Sequence, residues 1–133
     1  STTSTSTFSG TSASFKCVRA LARADSPESR WFADQVGRLA DAARQRGAQL
    51  GVVLVPFRWQ LADPSDLTKS AAATISKLCA RHGLPFLDTT EALSRGGPAR
   101  VMFFDTFHLT PRGHAAVADA LRGWLDQHPE LLD

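Results

Sequence analysis

Leu50-Gly51-Val52-Val53-Leu54-Val55-Pro56 is a continuous apolar run rich in β-branched residues, with Gly47 before it and Pro56 closing it. β-branched side chains suit an extended backbone, and a run this short favours a strand over a buried helix. No polar residue interrupts it, so both faces are expected to be covered, as in a strand inside a parallel sheet. That expectation places the chain in the α/β class.

On the N-terminal side, Ser26-Pro27-Glu28-Ser29 reads as a helix start, a cap followed by Pro at the first helical position. Phe32, Val36, Leu39 and Ala43 follow as one apolar stripe, while Arg30, Asp34, Arg38, Asp41 and Arg44 take the solvated side. Residues 15–24, with Phe15, Val18, Leu21 and Ala22, suit a short helix or the beginning of a strand. Residues 1–14 are almost all Ser, Thr, Gly and Ala. They are expected to form a mobile tail or lid loop, with too little apolar surface to offset the entropy of ordering.

On the C-terminal side, Phe57–Ala62 follows the carboxyl end of the strand, the edge where open α/β sheets bind ligands. Arg58 and Trp59 are therefore candidates for a substrate groove, or Trp59 simply covers the core rim. Asp63-Pro64-Ser65-Asp66 opens a second long helix, with Leu67, Ala71, Thr74, Ile75, Leu78 and Cys79 inside and Arg81-His82-Gly83 at its end. His82 there is accounted for by the helix dipole. Leu84–Asp88 is a second strand, Asp88 or Thr89 caps a short helix, and Gly96-Gly97-Pro98 breaks the chain. Strand, helix, strand with short connections implies parallel pairing with a right-handed crossover. Two strands covered on both faces cannot make a sheet alone, so neighbours from elsewhere are expected.

Chemistry concentrates in Phe103-Phe104-Asp105-Thr106-Phe107-His108-Leu109-Thr110-Pro111-Arg112-Gly113-His114. Thr110 and Pro111 open a closing helix as cap and first residue, which leaves Asp105 and His108 in a short, rigidly backed loop. A carboxylate can fix the tautomer of an imidazole and stabilise its charged form, while the other ring nitrogen takes a proton from a nucleophile. The plainer role is a capping loop in which both residues bond to backbone. A metal site on Asp105 and His108, with His114 as a third donor, is chemically open, but both residues in one loop is not a diagnostic spacing. His114, Val117, Ala118, Leu121, Trp124 and Leu125 form the expected inner stripe of the closing helix, with His114 as a packed structural residue.

This block resembles the last conserved block of the SGNH (GDSL-type) hydrolases: Asp-x-x-His, a small hydroxyl residue, Gly and a terminal helix. The resemblance spans roughly residues 15–127 and implies the back half of a flavodoxin-like three-layer α/β/α domain with a parallel sheet. Residues 15–133 would be the C-terminal portion of that single domain. It further implies His108 and Asp105 as catalytic residues of ester hydrolysis or acyl transfer on an ester or O-acetyl group of a small-molecule or carbohydrate substrate. Neither cofactor nor metal is needed for such chemistry. The family's serine sits in a Gly-Asp-Ser turn after the first strand, and a Gly and an Asn complete its oxyanion hole. This chain contains neither a Gly-Asp-Ser turn nor any Asn, and Ser9-Gly10-Thr11-Ser12 has no buried strand leading into it. The expected partner is therefore the missing N-terminal half of the same domain, and the chain alone is expected to be inactive. The alternative is a non-catalytic binding or interaction module on the same scaffold.

Composition narrows the field further. The chain's 133 residues allow one domain. The net charge of +2 is spread along the chain, which gives no case for nucleic acid. No apolar run reaches the roughly 18 residues of a membrane span, and the N-terminus lacks the pattern of a signal peptide. Cys17 and Cys79 fit neither a metal nor a redox spacing; buried thiols are expected over a disulfide. Abundant Ala and Arg associate the chain with a GC-rich bacterial source. The compartment stays open, an extracytoplasmic one included.

Overall fold

The computed structural model describes residues 13–132. Residues 13–21 are helical (α1), followed by α2 (Pro27–Gln45), β1 (Val52–Leu54), α3 (Arg58–Ala62) and α4 (Asp66–Arg81). Then come β2 (Phe86–Asp88), α5 (Thr90–Gly96), α6 (Ala99–Met102), α7 (Pro111–Gln127) and a 3-10 turn at Pro129–Leu131. β1 and β2 pair in parallel with Val52 opposite Phe86 and Leu54 opposite Asp88, which makes an α/β fold rich in helix.

The long helices begin and end for local reasons. Ser26 caps α2 by accepting from the Ser29 amide, and Pro27 takes the first helical position. α2 and α4 close in the same way. Gly47 and Gly83 sit at φ 68° and 66°, which frees the next amide to reach back to Ala43 and Cys79 respectively. α4 starts two residues later than expected, because Ser65 rather than Asp63 is its cap. α1 settles the ambiguity at 15–24 in favour of helix. It also moves the expected tail boundary. Ser14 is buried and accepts a hydrogen bond from Trp59 Nε1 at 3.0 Å, so residues 13 and 14 belong to the fold. The rest of the expected tail lies outside the described residues.

The interior is centred on Leu61, Leu93, Met102 and Phe103, where α3, α5, α6 and α7 meet, with Ala99, Val101, Leu109, Ala116 and Val117 around them. α4 packs on β2, and Trp124 of α7 fills the space beside Gly51, where a Cβ would come within 2.7 Å of its ring.

Four burial expectations are corrected, that for the Cys17 thiol among them. Val53 and Val55 are exposed, because among the described residues β1 has β2 as its one strand partner and the face those residues share is left partly open. Leu39 is exposed and Ala40 is buried instead, so the inner face of α2 runs through Val36 and Ala40. On α7 the expected stripe holds at Val117, Leu121, Trp124 and Leu125, but at its start Gly113 is buried in place of His114, which is exposed, as is Ala118. Cys17 and Cys79 are free thiols; Cys79 is buried, which raises its pKa, and Cys17 is exposed. No described helix is long and apolar enough to cross a membrane.

Candidate active site

The loop between α6 and α7 is pinned from beneath. Phe103 is buried and forms a bridge with Leu109, so the chain crosses back over itself around residues 104–108. The Phe104 amide donates to the His108 carbonyl at 2.8 Å, and the Thr110 amide to the Met102 carbonyl at 2.9 Å. Thr110 caps α7 by accepting from the Gly113 amide, and its own hydroxyl donates to the Val101 carbonyl at 2.5 Å. Gly113 has no room for a side chain: a Cβ there would lie 2.2 Å from the Met102 carbonyl oxygen. The Thr-Pro-x-Gly sequence therefore brings the first turn of α7 directly against the backbone that leads into the loop.

Within that frame Asp105 divides its oxygens. Oδ1 accepts from the amides of Phe107 at 3.1 Å and His108 at 2.8 Å, holding the loop closed. Oδ2 faces His108 Nδ1 at 2.7 Å. The capping and pairing roles coexist because they use different oxygens. An ionised carboxylate only accepts, so Nδ1 carries the hydrogen and the Nε2 lone pair is left for a proton donor. The His108 amide first, then its ring and the Phe107 amide, hold the Asp105 carboxyl down at about 2. Its negative charge persists through any pH at which an imidazole titrates.

The pair lies at the carboxyl edge of the sheet. The Arg58 amide, just after β1, donates to the Thr106 carbonyl at 2.8 Å. Both members face solvent. Arg58 thus borders the loop through its backbone. Trp59 packs its ring near Phe15 at 5.6 Å between centroids, the rim-covering role. Asp88 at the end of β2 is occupied by the amide and hydroxyl of Thr90, at 3.0 and 2.7 Å. His82 is half-buried against Gly37 of α2. Among the described residues no group of three or more His, Cys, Asp or Glu is placed to hold a metal ion.

The role of Gly113 escaped the sequence reading, although a glycine in the first turn of a helix, where it weakens the helix, is a signal of close approach.

The GDSL-like Lipase/Acylhydrolase family model matches residues 22–116. The chain belongs to this family. The matched stretch runs from just after α1 into α7 and contains both strands and the whole Asp105–His108 loop. Membership makes the chain's general chemistry that of a hydrolase acting on esters, with small-molecule esters as the substrate class. No curated protein and no solved structure matches the chain.

Proposed function

We propose that this GDSL-family chain supplies the Asp-His part of a serine esterase or acyl-transfer site. His108 Nε2 takes the proton of a serine hydroxyl as it attacks the ester carbonyl, then returns it to the departing alcohol oxygen. Asp105 holds the ring in the required tautomer and stabilises its charged form. The observation that carries this is the 2.7 Å contact between Nδ1 and Oδ2, with Nε2 left for a proton donor. The absence of Gly-Asp-Ser and of every Asn from the sequence supports a nucleophile and oxyanion donors delivered by the front half of the same domain. The open side of β1 is a suitable place for that half, since a two-stranded sheet is marginal alone.

The test is turnover of p-nitrophenyl acetate. The pure 133-residue chain is expected to show none beyond background. In the complete hydrolase, His108→Ala is expected to lower kcat by roughly 10⁴-fold. His114→Ala, at an exposed position on α7, should stay within about threefold of the parent. Turnover by the isolated chain that disappears with His108→Ala would place the nucleophile within these residues. The opposite ranking of the two histidines would move the general base to α7.

A further inference from the structure

Two large apolar side chains of the Asp105 loop stay outside the core: Phe104 is 69% and Phe107 60% exposed, while the adjoining Phe103 is 1% exposed. A lone exposed phenylalanine is ordinary. Two in one short loop, one next to Asp105 and the other next to His108, are more than that, and exposed apolar groups beside polar ones mark binding surfaces. The loop cannot tuck them in. The Phe104 amide is held by the His108 carbonyl at 2.8 Å, and the Phe107 amide by Asp105 Oδ1 at 3.1 Å. Turning either residue inward would break a bond that also positions the Asp-His pair. Phe107 moreover lies against the imidazole itself, with ring centroids 4.3 Å apart and planes at 38°.

Which part of an ester would meet this surface follows from the proton's path. The serine oxygen forms a bond to the acyl carbon, and the bond from that carbon to the alcohol oxygen breaks. The proton goes from serine to Nε2 and then to the departing alcohol oxygen. The acyl group stays on the serine, at the oxyanion donors. The alcohol must leave past the imidazole, because that ring hands it the proton. An apolar side chain resting on the imidazole therefore meets the alcohol and not the acyl group.

We propose that Phe107, with Phe104 at the other end of the loop, determines specificity on the alcohol side and selects esters of apolar alcohols over sugar esters. This rests on the role proposed for His108. Polar sugar hydroxyls would find no matching side-chain donors or acceptors on these two rings, whereas an alkyl chain would be drawn out of water by them.

The test compares acetates of different alcohols in the complete hydrolase. A fully buried methylene favours binding about fourfold, so even partial burial of the four extra carbons of hexyl acetate should raise kcat/KM at least about tenfold over ethyl acetate. Phe107→Ala, and more fully Phe104→Ala with Phe107→Ala, should bring that ratio to about two, and Phe107→Leu should restore most of it. The ratio between ethyl butyrate and ethyl acetate should not move. A hexyl-to-ethyl ratio near one in the parent, a ratio that survives both alanines, or a sugar O-acetate preferred over hexyl acetate would each overturn the proposal. A second readout needs no serine. In the 133-residue chain, hexyl acetate should shift the Phe107 and His108 ring resonances saturably, and Phe107→Ala should weaken that binding several-fold. No saturable shift counts against it. If His108→Ala leaves turnover intact while alcohol selectivity still depends on Phe107, the proton role falls and the apolar surface stands.

Discussion

Leu93 and Val53 are both aliphatic, and both belong to short elements, one a helix and the other a strand of the sheet. Leu93 is 0% exposed at the joint of α3, α5, α6 and α7, whereas Val53 is 38% exposed in the middle of β1. The helical joint has its interior filled, and it carries the Asp105–His108 loop on its rim. Among the described residues each strand has one partner, and Val53 and Val55 stay exposed on one face. The geometry of the Asp-His pair is thus a property of a finished substructure, while the sheet beside it still presents surface that parallel strands usually bury. Positioning and completeness have come apart among the described residues, as the role proposed for the Asp-His pair requires.

The contrast is sharpest in stability. Leu93→Ala should cost about 2–5 kcal/mol, because it opens a cavity in a close-packed joint. Val53→Thr in the same chain should change stability by no more than about 0.5 kcal/mol, as for exposed positions generally. In the complete hydrolase the same Val53→Thr should cost more than about 1 kcal/mol, since its hydroxyl would then be buried. Denaturant unfolding of both variants in both contexts measures this. Equal costs in the isolated chain would erase the distinction between the two regions.

A smaller effect probes the link between joint and loop. Gly113→Ala places a methyl 2.2 Å from the Met102 carbonyl, so the first turn of α7 must move away from the chain entering the loop. The expected cost is about 1–3 kcal/mol, with a lower melting temperature and displaced His108 ring resonances. An unchanged His108 spectrum would show that the loop is positioned by something other than this close approach.

The smallest effect is in titration. Asp105 should ionise near 2 instead of its usual 3.8, read from its side-chain carbon resonance as pH falls. A depressed carboxyl stabilises the fold above the unfolded value, and that contribution is lost as pH falls through the folded one. The loss therefore belongs to the window from about 3.8 down to about 2, well clear of neutral pH. His108→Ala should raise the midpoint only in part, because the backbone amide at position 108, the largest cause, remains. A midpoint at the ordinary value would mean the loop's hydrogen bonds are not formed in solution.

The sequence announced what depends on local rules. Ser26-Pro27 and Thr110-Pro111 start helices because a hydroxyl cap and a prolyl first position act within four residues. Asp105 and His108 are legible as a pair because their separation spans one tight loop. What depends on partners was less legible. The run Leu50–Pro56 has strand composition, yet only Val52–Leu54 forms a ladder, because pairing requires a neighbour and β2 is itself short. The single helical turn at Ala99–Met102 follows from Pro98 and from packing on α3 and α7, with too few residues for a periodic signal. Leu39 and His114 were assigned to the wrong sides of their helices, since a stripe with several apolar candidates fixes its direction only to within a residue or so. Ser14 looked like tail by composition; its bond to Trp59 spans 45 residues of sequence, which no local pattern reveals.

The central claim is that the Asp-His pair is complete in this chain and the hydroxyl it activates is not. Labelling with a serine-directed fluorophosphonate, followed by peptide mass spectrometry, tests it most directly. The account predicts no adduct on the isolated chain, and in the complete hydrolase a single adduct on a serine outside these 133 residues that disappears with His108→Ala. An adduct on a serine within the chain, Ser9 or Ser12 included, would contradict it.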